Sequence, residues 1–216
     1  MAYETVSDLI KAFREDEKDN VGPDYFWSDS QLTRYANGAL AAFAEKTLSI
    51  VDDTIEIPFS AGDDALPYPD YVIDVLDAQA VIDGRDFPLE VKAPADVRRS
   101  NLPRHGRPSL LVLNNAIGSM RLAAVPQQAG SVKLTVIRRP IKELTKDGKL
   151  TDVGRVHREY LLLFMKHRAY NVNDAEMFDA AKSAGYLVEF NLECQRIYET
   201  ELLRRGAART IKPAVW

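Results

Sequence analysis

The 216-residue sequence holds one cysteine, Cys194. No intramolecular disulfide can form, which suits a reducing compartment and leaves packing to hold the fold. Cys194 lies in a helical pattern between Leu192 and Ile197 and reads as a small buried hydrophobe. Long apolar runs are missing too: none approaches the ~18 residues that a membrane helix needs. The segment 1–20 is polar and acidic and lacks the apolar stretch of a secretory signal. Compact catalytic motifs are also missing. There is no Gly-x-x-x-x-Gly-Lys-Ser/Thr loop, no Gly-x-Gly-x-x-Gly, no Gly-x-Ser-x-Gly elbow and no His-Glu-x-x-His. His157 and His167 fall nearly three turns apart on an expected helix, too far to share a metal without other ligands. They read as exposed or packed helix histidines. The acidic pairs Asp52-Asp53 and Asp63-Asp64 read as solvated turns, and the second lacks the Asp-x-Asp-x-Asp-Gly register of a calcium loop.

What is present suits a chain that folds around a core. Hydrophobic residues make up 46% and charged residues 28%, as in an ordinary soluble domain. A net charge of -4 makes the whole molecule an unpromising polyanion binder.

The ends read as helix and the middle as strand. Thr5 to Lys18 places Leu9, Ile10 and Phe13 on one face, with Ser7 as the cap, and Val21-Gly22-Pro23 breaks the pattern. Ser28 and Gln31 form a capping-box pair with Trp27 just outside. Leu32, Tyr35, Ala36, Ala39, Leu40, Phe43 and Thr47 then keep helical spacing. Alternation in Thr54–Phe59 turns Ile55, Ile57 and Phe59 one way. Asp83-Gly84 is a hairpin signal joining a segment ending at Ile82 to Phe87–Val91. Further strands are expected at Ser109–Leu113, Met120–Val125 and Ser131–Arg138, and a short helix at Ala93–Asn101. Helix resumes near Val153, with Val156, Tyr160, Leu163, Phe164 and His167 on one face, widened by Leu161 and Leu162. A long helix follows from about Asp174 to Arg205, opened by an Asn173/Glu176 pair and closed by Gly206.

This order implies an α+β fold: a helical bundle made from N- and C-terminal helices, with an inserted small antiparallel β domain. The expected divisions are 1–50 and 146–205 for the bundle, 51–145 for the β domain, and 206–216 for a tail.

Two basic features stand out against the acidic whole. The segment 92–107 carries Arg98, Arg99, Arg104 and Arg107 and suits phosphates or an acidic protein surface, although a solvated loop would look the same. The tail carries Arg204, Arg205, Arg209 and Lys212, has no acid after Glu201, and brings Ile211, Val215 and Trp216. A basic arm with an apolar end is a docking element, because Trp and Arg are common interface anchors.

The layout resembles the head-to-tail adaptor proteins of tailed bacteriophages. Trp27-Ser28-Asp29 followed by Leu32, Tyr35, Asn37 and Ala39 matches the start of their helix. Leu66-Pro67-Tyr68-Pro69, Arg139-Pro140, His157, Arg168-Ala169-Tyr170 and Asp174 follow in the same order. The resemblance spans Trp27 to Arg205; the charged run Arg14-Glu15-Asp16-Glu17-Lys18-Asp19 departs from it. It implies a structural virion protein of the neck, assembled in the host cytoplasm. Such a protein forms a ring, usually of twelve copies, under the portal protein. The ring extends the DNA channel and provides the platform for tail or nozzle proteins. DNA passes without sequence specificity, and no membrane, metal, cofactor or catalysis is implied. The C-terminal segment, here Arg204 to Trp216, docks into the portal. Two other readings remain: a nucleic-acid-binding module using 92–107, and an enzyme whose site is assembled from distant residues.

Overall fold

The computed structural model describes residues 3–19, 25–97, 105–172 and 178–206. The chain divides into two compact units, one built from 1–50 with 140–216 and the other from Val51–Arg139.

The first unit contains α1 (Val6–Asp16), α2 (Asp29–Thr47), α3 (Tyr160–Tyr170) and α4 (Ala180–Arg204). The cap of α1 is Thr5 rather than Ser7: Thr5 Oγ1 accepts from the Asp8 amide while the Asp8 carboxylate accepts from the Thr5 amide. Ser28 and Gln31 form the same reciprocal box on α2. Trp27 is buried beside it, edge-on to Phe13 at 5.2 Å between ring centroids. The spaced residues Leu32, Tyr35, Ala36, Ala39, Leu40, Phe43 and Thr47 are all buried. They share a core with Leu9, Ile10 and Phe13 of α1, Leu161 and Met165 of α3, and Phe190, Cys194 and Ile197 of α4.

Helix α3 starts later than its periodicity suggests. Gly154 opens a 3-10 turn at Arg155–His157, and the α-helix begins only at Tyr160. Its buried face is Leu161, Leu162, Met165 and Ala169, whereas Val156 is exposed. Tyr160, Leu163 and Phe164 pack at the edge of the core. Helix α4 is capped by Asp179, whose carboxylate accepts from the Lys182 amide. The expected Asn173/Glu176 cap and the Val21-Gly22-Pro23 break lie outside the described residues.

Cys194 is buried, and burial pushes its thiol up to about 12 despite the opposing influence of Lys46. A rise from the ordinary 9.0 lowers the thiolate fraction at neutral pH about a thousandfold. Thiol labelling of the native chain at pH 7 should therefore be far slower than labelling in denaturant, as followed by mass spectrometry. Equal rates would place Cys194 at the surface.

The second unit is one seven-stranded sheet in the order β1-β7-β3-β4-β5-β6-β2. The strands are β1 (Val51–Phe59), β2 (Ala65–Pro67), β3 (Val72–Ile82), β4 (Arg85–Lys92), β5 (Leu110–Ala116), β6 (Ser119–Ala123) and β7 (Gly130–Arg138). The expected bundle with a small inserted antiparallel β domain is overturned. The sheet is larger than expected and mixed, because β4 and β5 run parallel, Glu90 to Leu110 through Lys92 to Val112. Parallel neighbours need a long crossover, which segment 93–109 supplies. The sheet also curls, so that the edge strands β1 and β2 approach each other. Curling gives it an interior of its own, holding Ile55, Ile57 and Phe59 of β1 with Ala78, Ala80, Leu111, Leu122, Val132, Leu134 and Val136. Asp83 (φ 53°) and Gly84 (φ 70°) make the β3–β4 turn, both left-handed as a two-residue hairpin requires.

Candidate docking site

The residues singled out for docking begin at the end of α4. Glu201 accepts a hydrogen bond from Arg204 Nη1, one turn further on, at 2.7 Å. Arg204 otherwise projects, its side chain 70% exposed. Arg205 turns inward and donates through Nη2 to the carbonyl of Leu48. Leu48 is the left-handed C-cap of α2 (φ 50°), so the guanidinium meets the negative end of that helix. Gly206 follows at φ 74°, a left-handed step that ends α4, with its amide donating to the Leu203 carbonyl at 3.2 Å. The end of α4 is therefore a point fixed by Arg205. Arg209, Ile211, Lys212, Val215 and Trp216 lie outside the described residues.

The basic segment 92–107 is described at its two ends. Lys92 Nζ meets Glu90 at 2.9 Å, and Pro94–Asp96 form a 3-10 turn in place of the expected short helix. Val97 packs against Leu110, Val112 and Ala123. At the other end, the Gly106 amide donates to the Val125 carbonyl at 3.1 Å. The Arg107 guanidinium covers the Phe87 ring at 4.6 Å from its centroid, a cation–π contact. Arg107 and Phe87 line an open groove of about 700 Å³ with Asp83, Arg85, Gln127 and Gln128. Arg98, Arg99 and Arg104 lie outside the described residues, so Arg107 alone of that set has a described position.

The acidic pairs do not all face solvent as turns would. Asp52 is bound by Arg138 Nε at 2.6 Å and accepts from the Thr54 amide and hydroxyl. Burial pushes its carboxyl up, but the Thr54 and Arg138 contacts outweigh that and leave it below its ordinary value. Asp64 is bound by Arg121. Among the described residues, no group of three or more His, Cys, Asp or Glu side chains is placed to hold a metal. His167 Nδ1 meets Ser183 Oγ at 2.9 Å. His157 sits in the 3-10 turn, stacked at 6.1 Å on Tyr160, where burial lowers its pKa. No helix among the described residues is long and apolar enough to cross a membrane.

The charged run 14–19, which departs from the adaptor pattern, supplies two polar networks. Arg14 Nη1 bonds Asp19 Oδ2 at 2.5 Å, and Nη2 bonds the Trp27 carbonyl and Asp29 Oδ1, both at 2.8 Å. The Tyr25 ring lies 3.7 Å from the same guanidinium. Glu17 accepts from the Tyr170 hydroxyl and from Lys182, with Lys166 at 3.4 Å. Burial pushes the Glu17 carboxyl up, but Tyr170, Lys182 and Lys166 together hold it below its usual range. These side chains tie α1 to α2, α3 and α4.

A family model for the SU10 adaptor protein matches residues 4–212. No curated protein matches the chain.

Proposed function

As the chain belongs to the SU10 adaptor protein family, a family of phage head-to-tail adaptors, we propose that it forms the ring under the portal through which DNA leaves the capsid. Membership makes it a structural protein of the phage virion, placed at the neck and in contact with portal and tail proteins. The finer reading is a closed ring of twelve copies, assembled in the host cytoplasm. The ring extends the DNA channel without reading sequence and offers its far side to tail or nozzle proteins. A closed ring requires two different lateral faces on each subunit, joined head to tail.

The C-terminal arm is the portal-docking element in this reading. The observation that supports it is the fixed end of α4: Arg205 is held on the α2 terminus, and Gly206 closes the helix. Beyond that point the sequence has Arg209, Ile211, Lys212, Val215 and Trp216 and no acidic residue. Cations and an aromatic plug on a short arm suit a pocket on a partner. Deleting 207–216 should leave the helical and sheet signals and the melting profile unchanged while abolishing co-sedimentation with portal rings. A truncated chain that still joined portals normally would overturn the assignment.

The segment 92–107 is the second proposed contact, toward DNA in the channel or toward a tail protein. Arg107, held over Phe87 in an open groove, supports it. Replacing Arg98, Arg99, Arg104 and Arg107 by Ala should abolish any salt-sensitive DNA binding by the chain. Unchanged binding would remove this contact.

A further inference from the structure

From Ala181 to Leu192, helix α4 is apolar on two opposite sides, and Arg196 and Glu199 end the exposed one. At 100° per residue, Ser183, Phe190, Cys194 and Ile197 share the side that is buried. Ala181, Gly185, Val188 and Leu192 share the other, spaced by four, three and four residues. That second side is exposed: Val188 is 60% and Leu192 56% accessible. A Cβ placed on Gly185 would meet nothing within 4 Å. The spacing is that of a helix–helix seam, and its two halves differ in size, small at Ala181 and Gly185 and large at Val188 and Leu192. Charge differs along the flank in the same sense, with Lys182 beside the small half and Glu189 beside the large half. Among the described residues Glu189 has no ion-pair partner, whereas Lys182 already meets Glu17 at 3.0 Å.

A helix with this pattern complements itself when turned end for end. We propose that two free copies of this chain pair through the exposed sides of α4, antiparallel and related by a two-fold axis, with Leu192 of each copy over Ala181 of the other and Val188 over Gly185. Small residues under large ones let the two backbones approach closely. The same register sets Glu189 of each copy beside Lys182 of the other, and the two helix dipoles oppose. A two-fold pair is closed, so it belongs to the free chain and not to a head-to-tail ring. It covers the α4 face until assembly and is independent of the portal-docking reading, because no portal enters the test.

The test is analytical ultracentrifugation of the full chain at micromolar concentration. The expected mass is twice that of the chain, falling by half in V188E/L192E with an unchanged circular dichroism spectrum. A second variant fixes the register. A181C/L192C should form covalent dimers on mild oxidation, while L192C alone forms few, since Leu192 meets Ala181 of the other copy and not itself. The two positions are three turns apart on one helix, too far for a bridge within a chain. A monomeric wild type overturns the proposal, including one in which the chain's own arm 207–216 covers the face. So does a dimer that survives V188E/L192E, or one that L192C alone cross-links as efficiently as the double variant.

Discussion

Replacing Arg14 by methionine should cost the helical unit about 3–5 kcal/mol, the usual loss when one partner of a buried ion pair is removed. Asp19 would remain with its side chain 2% exposed. Its only remaining donors among the described contacts would be the Phe26 amide at 2.8 Å and the Trp27 amide at 3.5 Å. The Trp27 carbonyl and one oxygen of Asp29 would lose the same guanidinium, although Lys146 still meets Asp29 at 2.5 Å. Lysine at position 14 should recover part of the loss, because one ammonium cannot reproduce the planar fork that reaches Asp19 and Asp29 together. In the methionine background, Asp19→Asn should be nearly neutral, since the buried charge that causes the penalty is then gone. Urea titration followed by Trp27 fluorescence, in a Trp216→Phe background, reads this unit separately from the sheet. A loss under about 1 kcal/mol for the methionine variant would show that the network is solvated in solution.

Alanine at Gly130 should be the most damaging glycine substitution in the sheet. Gly130 opens β7 between its neighbours Phe59 of β1 and Ile82 of β3. An added Cβ would lie 2.3 Å from the Val81 carbonyl oxygen and 2.9 Å from the Phe59 ring. The first of these is backbone in a paired strand and has no rotamer through which to give way. Overpacking of this kind costs typically 1–3 kcal/mol, and the upper end applies here. Gly84→Ala is the control. It meets no atom within 4 Å and is strained only through its φ of 70°, so it should cost about 1 kcal/mol. Amide exchange in β3 and β7 distinguishes the two, with protection falling for Gly130→Ala well below the level for Gly84→Ala. Equal losses would mean that β7 shifts to accept the methyl group.

Local grammar was legible in the sequence and long-range pairing was not. The Ser28/Gln31 box, the alternation of Ile55, Ile57 and Phe59, and the Asp83-Gly84 turn each depend on residues a few positions apart, so their physics is contained in the string. Strand β2 was hidden because Pro67 reads as a break; it is tolerated at the end of a three-residue edge strand paired only with β6. The parallel β4–β5 pairing joins residues twenty apart, and no turn signal marks it. The face of α3 was misread because Leu161, Leu162, Leu163 and Phe164 are all apolar, so position gives little phase and the packing of α2 and α4 decides it. The networks of Arg14, Glu17 and Asp19 were not legible, because nothing near them in sequence announces Trp27, Asp29, Tyr170 or Lys182. Of the residues expected to dock, Arg205 could be expected at the end of a long helix, but its bond to the Leu48 carbonyl could not, since the two are 157 positions apart.

The division of the chain also dictates an order of events during synthesis. The sheet unit is one continuous stretch, Val51–Arg139, so every strand it needs has been made by the time β7 emerges. The helical unit draws on both ends of the chain, and α2 must wait for α3 and α4 before Leu40 and Phe43 are fully covered. Domains generally fold as units as they leave the ribosome. The sheet should thus be native while α1 and α2 are still half-built on the nascent chain. The arm that follows α4 is translated after all four helices, so no copy presents it before they have been made.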